Sequence, residues 1–334
     1  MKRVKKSKNF VSTLILCLTA ACLAGLLFGS LWLGGLFQDT ETRELALTVL
    51  FKLRLPRVVC AVAVGACLGV AGAGFQAVFR NALADPFIVG ASSGAALGVG
   101  VAMIFSMGGV LSATASLSTP AASFAGSLAA VFAALLISRA GGMASATNLL
   151  LAGSAVSALC SSALSFLFIL KDGGFQRVYY WMLGSLAISW NAVLSALPVM
   201  FVGTLVIFLS SRAMDLLLQG DETAESLGLD VKKARVTVIL GASLAVAATV
   251  SVCGVIGFVG LVAPHVARLF TGSIHKRLLP ASALFGALIV LLADIASRSV
   301  LPPLEIPVGV ITALGGSPFF LFLLVKNSGA ESRR

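Results

Sequence analysis

The chain has 334 residues, 58% of them hydrophobic and only 11% charged, and its mean hydropathy is +1.03. That composition leaves too little polar surface to enclose a water-soluble globule. The net charge of +11 comes from basic residues scattered along the chain, which speaks for membrane topology and against a nucleic-acid surface.

An apolar stretch of about 20 residues crosses the hydrocarbon as a helix, and the period-two alternation of an outer-membrane barrel is missing. The fold class expected is therefore all-α and polytopic. Taken in chain order, the apolar runs predict ten spans, at about 10–36, 57–79, 87–107, 120–138, 147–170, 192–211, 235–252, 254–271, 279–300 and 306–325. Ten spans put both termini on one side. If that side is cytoplasmic, it holds 17 of the 24 basic residues, against 7 outside (Arg43, Lys52, Arg54, Arg57, Lys171, Arg177 and Arg298), as the positive-inside rule prefers. The basic start, residues 1–9, leads into an apolar run too long for a signal-peptide core, so it reads as a cytoplasmic tail before a retained helix. Residues 326–334 form a second such tail, and 1–334 reads as one transmembrane domain.

Glycines at 65 and 69, and at 90, 94 and 98, make ridges of small residues suited to close helix packing. All six cysteines lie within or at the ends of apolar runs and read as small hydrophobes. Two histidines and no cysteine cluster supply no ligand set for a bare metal ion, so neither a metal nor another cofactor is expected in this chain. Asp294 and Arg298 stand at i, i+4 within the ninth span, and Asp294 reads as structural.

One polar stretch, QGDETAESLGLDVKKAR (219–235), interrupts the apolar sequence on the expected cytoplasmic side, within a segment at 212–234. A short helix over 219–229 is predicted, with Asp221 near its positive end and Gly228 as its stop. Ala224 and Leu227, at i, i+3, are expected to share a face that inserts into a groove on a partner; a solvated loop helix is the alternative. The chain lacks GxxxxGK[ST], so it cannot by itself cradle the phosphates of ATP.

Several stretches together resemble one family. They are RLPR (54–57), GFQAVFRNALADP (74–86), GASSGAALG (90–98), GDETAESLGLDV (220–231), GVIGFVGLVAPHVARLFTGSIHKRLLP (254–280), GALIVLLADIASR (286–298) and EIPVGVITALGGSPFFLFLL (305–324). In order and spacing they are similar to FecCD permeases, the membrane subunits of type II ABC importers for ferric siderophores, haem and cobalamin. The resemblance implies a ten-helix, inner-membrane subunit that pairs with a second permease subunit as a homodimer. It further implies two cytoplasmic ATPase subunits that use the ATP, a substrate-binding protein docking outside, and no catalytic role for this chain. By the same resemblance Gly220, Asp221, Glu222, Glu225, Leu227 and Gly228 belong to the ATPase-coupling segment. Arg54, Arg57 and Arg298 match arginines that meet acidic residues of the binding protein, with headgroup anchoring and an Arg298–Asp294 pair as their structural alternatives. Ser145, Ala146 and Thr147 match the cytoplasmic gate. Ala82 stands where the family has proline, which implies a less rigid turn there. The rival reading is a secondary transporter driven by an ion gradient, for which Asp294 is the clear intramembrane carboxylate; a membrane-embedded enzyme ranks last, because no nucleophile has a base in reach.

Overall fold

The computed structural model describes residues 2–27, 40–107, 115–140, 146–170 and 174–331. The described residues outside turns and linkers are all helical. In order they are α1 (Lys2–Leu27), α2 (Thr40–Thr48), a π-helical turn (Val49–Arg54), α3 (Leu55–Phe79), a 3₁₀ turn (Pro86–Val89), α4 (Ala91–Met107), α5 (Ala115–Ala140), α6 (Ala146–Leu170), α7 (Gly174–Met182), α8 (Trp190–Leu209), α9 (Ser211–Leu217), α10 (Asp221–Ser226), α11 (Val231–Cys253), α12 (Val259–Thr271), α13 (His275–Ser299) and α14 (Val308–Glu331). Seven of the described helical stretches are long and apolar enough to cross a bilayer, and three more are shorter apolar helices, at Ala91–Met103, Val259–Thr271 and Val308–Leu323. The polytopic, all-helical class expected from the sequence holds among the described residues.

Every predicted run coincides with a helix, but several boundaries differ for physical reasons. The second run begins far earlier than residue 57, because the backbone stays helical from Thr40 and the charges at 43–57 do not interrupt it. Pro56 lacks the N–H for the Lys52 carbonyl, and the π turn before it, closed by Leu55 N–H donating to the Leu50 carbonyl, widens the helix where the ring needs room. Its apolar stretch, Arg43–Phe79, is 37 residues long; at 1.5 Å per residue that is about 55 Å, well beyond the roughly 30 Å of hydrocarbon. The eighth run starts later than expected. Gly254 adopts φ 70° and ψ −159°, and a Cβ there would collide with the Trp181 carbonyl, so residues 254–257 form an extended linker before the 13-residue α12. The first run ends in residues 28–39, outside those described, as do Lys171, Arg333 and Arg334.

The core is organised around α3, most of whose residues are buried. It packs against α13, α11, α12 and α8, while α6 and α8 turn Leu151, Leu159, Phe166, Ile169, Phe201 and Leu209 outward as an exposed apolar surface. The glycine ridges lie in these seams. A Cβ on Gly65 would strike the Gly286 carbonyl, on Gly69 the Ser282 carbonyl, on Gly72 the Gly260 carbonyl, and on Gly94 or Gly98 the backbone of Gly126 or Ala122. With lipid as the competing solvent, this backbone approach supplies the packing that hydrophobic burial supplies in water.

The turn after α3 is tied by its own polar groups. Asn81 Oδ1 accepts from Leu83 N–H at 2.9 Å, and the Asp85 side chain accepts from Phe87 N–H at 2.8 Å, capping the 3₁₀ turn that Pro86 starts. Asp85 and Pro86 thus supply the expected element start, and hydrogen bonds flank Ala82 where proline was expected.

Gly72→Ala should destabilise the helix body by about 1–3 kcal/mol, the usual cost of overpacking where backbone meets backbone. Gly315→Ala, where a Cβ meets nothing within 4 Å, should have no such effect. Thermal unfolding of both variants in detergent, followed by the loss of monodisperse protein, checks the difference.

Candidate functional site

Two polar clusters stand at opposite ends of the antiparallel pair α3 and α13. The first surrounds the interrupting segment. After α8, residues 211–230 fold into α9 and α10, which lie on an apolar underside formed by Leu217, Ala224, Val231 and Ala234 with Ala213, Leu216 and Leu229 beside them. The predicted helix over 219–229 is trimmed to Asp221–Ser226. Gly220 at φ 105° and ψ 155° precludes a helical start before it. At the other end Gly228 takes φ 83°, with Gly228 N–H donating to Glu225 O and Leu229 N–H to Ala224 O, the Schellman arrangement with its Leu229–Ala224 apolar contact. Gly228 is the expected stop.

Ala224 and Leu227 do not share a partner-facing surface as expected. Ala224 is fully buried against its own chain, whereas Leu227, the residue that closes the helix, is 61% exposed. Glu222 and Glu225 also face outward. Asp221 turns inward: both its oxygens lie 2.9–3.0 Å from Nη2 of the nearly buried Arg235, and Arg80 stands 3.6 Å away. Asp230 caps α11 through Lys233 N–H at 3.0 Å, and that bond, with the Lys233 ammonium at 3.2 Å, holds its carboxyl below the ordinary carboxylate range. Asp215 on α9 reaches the start of α13, where Oδ1 accepts from His275 N–H at 2.9 Å and lies 2.6 Å from His275 Nδ1.

The second cluster is at the Arg57 end of α3. Arg54, Arg57 and Arg298 are buried, at 5%, 7% and 4% exposure, and each is engaged within the chain. Arg57 Nε donates to Asp294 Oδ1 at 2.5 Å, and its Nη1 donates to both oxygens of Glu305, at 2.9 and 3.1 Å. Arg298 lies 3.3 Å from the second Asp294 oxygen and donates to the Gly25 carbonyl at 2.6 Å. Arg54 donates to the carbonyls of Leu26 and Leu27 at 2.9 and 2.8 Å. Two guanidinium groups therefore take up carbonyls of the last turn of α1, where cations are favoured. The i, i+4 pair of Asp294 and Arg298 exists, as its spacing suggested, and Asp294 is fully buried between two arginines.

Sequence reasoning missed Arg57–Asp294, Arg57–Glu305, Asp215–His275 and Arg80–Asp221. The first two pairs are separated by more than 230 residues, so no local spacing announces them. Glu305, beside the prolines of LPPLEIPVG, was the nearest to a legible signal. Of the gate triplet, Ser145 lies outside the described residues, Ala146 is half-buried against the core at the start of α6, and Thr147 is exposed. Among the described residues no three His, Cys, Asp or Glu side chains gather as a metal-binding group.

The model of the FecCD transport family matches residues 14–326. The chain belongs to the FecCD transport family. It is 39% identical over 309 residues to the hemin transport system permease protein HmuU of Yersinia pestis, covering 91% of this chain and 90% of that one. It is 42% identical over 282 residues to the cobalamin import system permease protein BtuC of Halobacterium salinarum, covering 84% of this chain and 74% of that one. A solved structure described as an inward-facing conformation of a metal-chelate type ABC transporter matches with a TM-score of 0.81 and 30% identity, over 96% of this chain and 99% of that one. FecCD proteins are transport permeases and carry no catalytic site of their own.

Asp294→Ala should cost about 3–5 kcal/mol, because it leaves Arg298 buried without its carboxylate and Arg57 with only the half-exposed Glu305. Asp294→Asn, which keeps shape and acceptor, should cost less. Thermal unfolding of the two variants in detergent, ranked against the parent, tests the order.

Proposed function

We propose that the chain is the transmembrane permease subunit of an ATP-driven importer that moves a metal chelate, such as a ferric siderophore, haem or cobalamin, across the bacterial inner membrane. Its similarity to permeases named for hemin and cobalamin supports that class of cargo. The identities to the two are so close that they do not choose between them. The observation that carries the mechanism is the segment at 219–235: its acidic Asp221 is bound to the helix core, while Glu222, Glu225 and Leu227 face outward.

In this reading ten spans place both termini in the cytoplasm, and the segment is seated in one of two cytoplasmic ATPase subunits. The exposed Leu227 enters an apolar groove there, and Gly220 and Gly228 set the helix ends. ATP is bound and hydrolysed by those subunits, and this chain needs no cofactor. A second copy completes the translocation path, with Ser145, Ala146 and Thr147 at its cytoplasmic gate. A substrate-binding protein docks on the outer face near Arg54, Arg57 and Arg298. Since these arginines hold internal partners, docking through Arg57 requires a carboxylate of the binding protein to take the place of the half-exposed Glu305. The ion-gradient alternative gains little from the geometry, because Asp294 is fully buried and its two oxygens are taken up by Arg57 and Arg298.

Leu227→Asp would put a charge into a desolvated groove and should abolish ATPase stimulation and uptake in proteoliposomes, while leaving membrane insertion intact. Hydrolysis and uptake at the parental level would show that 219–235 is not the contact with the ATPase. In the same vesicles Asp294→Asn should give uptake that requires ATP and is indifferent to a collapsed proton gradient; uptake that follows the gradient without ATP would establish the secondary transporter instead.

A further inference from the structure

Arg80 ends α3 in a conformation that an arginine does not favour. Its φ of 49° and ψ of 32° lie in the left-handed region, where helices usually end on glycine or asparagine. In this conformation its guanidinium stands 3.6 Å from Asp221, across the gap to the first turn of α10. The same carboxylate holds Nη2 of Arg235, which is nearly buried on α11.

We propose that Arg80 is a positioning residue for the 219–235 segment: with Arg235 it grips Asp221 from a second side, fixing how Glu222, Glu225 and Leu227 are presented. The proposal rests on the reading of that segment as an ATPase contact and adds a division of labour within it. Asp221 fastens the segment to the core, and the outward residues meet the partner. An outward face with two glutamates and one exposed leucine fits a groove with an apolar floor and a basic rim.

Asp215, five residues before Gly220, repeats the device by holding both His275 N–H and Nδ1 at the start of α13. The segment is thereby tied to the end of α3, the first turns of α11 and the start of α13. Two of these helices, α3 and α13, also carry Arg57 and Asp294 at their far ends. A displacement of the α3–α13 pair would carry the segment with it, because the ties are short and two of the three cationic or imidazole partners, Arg235 and His275, are buried.

The residue at 80 could serve merely to end a helix, and the test separates the two roles. A nitroxide is placed at position 227 by Leu227→Cys, with the two most accessible native thiols removed as Cys17→Ala and Cys22→Ala. Its line shape is read in the permease alone, in nanodiscs, in backgrounds carrying Arg80→Gly, Arg80→Lys or Asp221→Asn. Glycine suits the left-handed backbone but has no charge; lysine keeps the charge. Arg80→Gly and Asp221→Asn should each raise the mobile fraction of the label by about two- to fivefold, the scale set by an exposed ion pair, while Arg80→Lys stays near the parent. The melting temperature of Arg80→Gly should be unchanged or higher, since glycine relieves the backbone, which distinguishes a loosened segment from a damaged body. A parental line shape in Arg80→Gly, or loosening of equal size in Arg80→Lys, overturns the proposal. The label is read without any ATPase, so failure of the coupling reading would show in the Leu227→Asp proteoliposomes and leave these line shapes as expected.

Discussion

The rest of the structure depends on how closely the backbones of α3 and α13 approach. In a bilayer, lipid tails are as apolar as leucine, so helices gain little by hiding aliphatic side chains from them. What remains is dispersion at short range. Gly65 and Gly69 on one helix meet Gly286 and Ser282 on the other, with no room for a Cβ between them. Gly72 extends the seam to α12 through Gly260. Every other helix of the core is arranged around a pair whose separation is set by the absence of side chains.

That close pair also fixes where charge can be buried. Arg57 begins α3 and Asp294 lies near the end of α13, so the antiparallel seam brings them together at 2.5 Å, and the next turn of α13 adds Arg298. A buried ion pair is poor evidence of stability in itself, since the desolvation of each partner offsets much of the attraction. Here it has a geometric consequence. Arg298 and Arg54 converge on the carbonyls of Gly25, Leu26 and Leu27, so the end of α1 is held by the same group of charges that closes the α3–α13 pair. Glu305, half-exposed, is the member of the cluster that water or a docking partner can reach.

At the other end of the pair the polar groups are half in water and the arrangement is looser. Asp215 and Asp221 each take two contacts from the core, and the short helices they hold rest on a small apolar underside of alanine, leucine and valine. The segment thus combines a fixed base with an exposed acidic and apolar face.

The sequence by itself determined the membrane class, the positions of the apolar helices, the small-residue seams and the helix stop at Gly228, because each follows from local composition or from a backbone requirement read at one position. It also singled out 219–235 by polarity and carried the family resemblance. It did not determine the directions of the charged side chains. Arg54, Arg57 and Arg298 were legible as cations near helix ends, yet whether they face solvent or Asp294, Glu305 and the end of α1 depends on which helices are neighbours. Ala224 and Leu227 share a spacing, but only the placement of α10 against Leu217 and Val231 buries one and exposes the other. Tertiary structure decided these matters because an ion pair such as Arg57–Asp294 is a property of two helices far apart in the chain. No periodicity within either helix encodes the partner on the other.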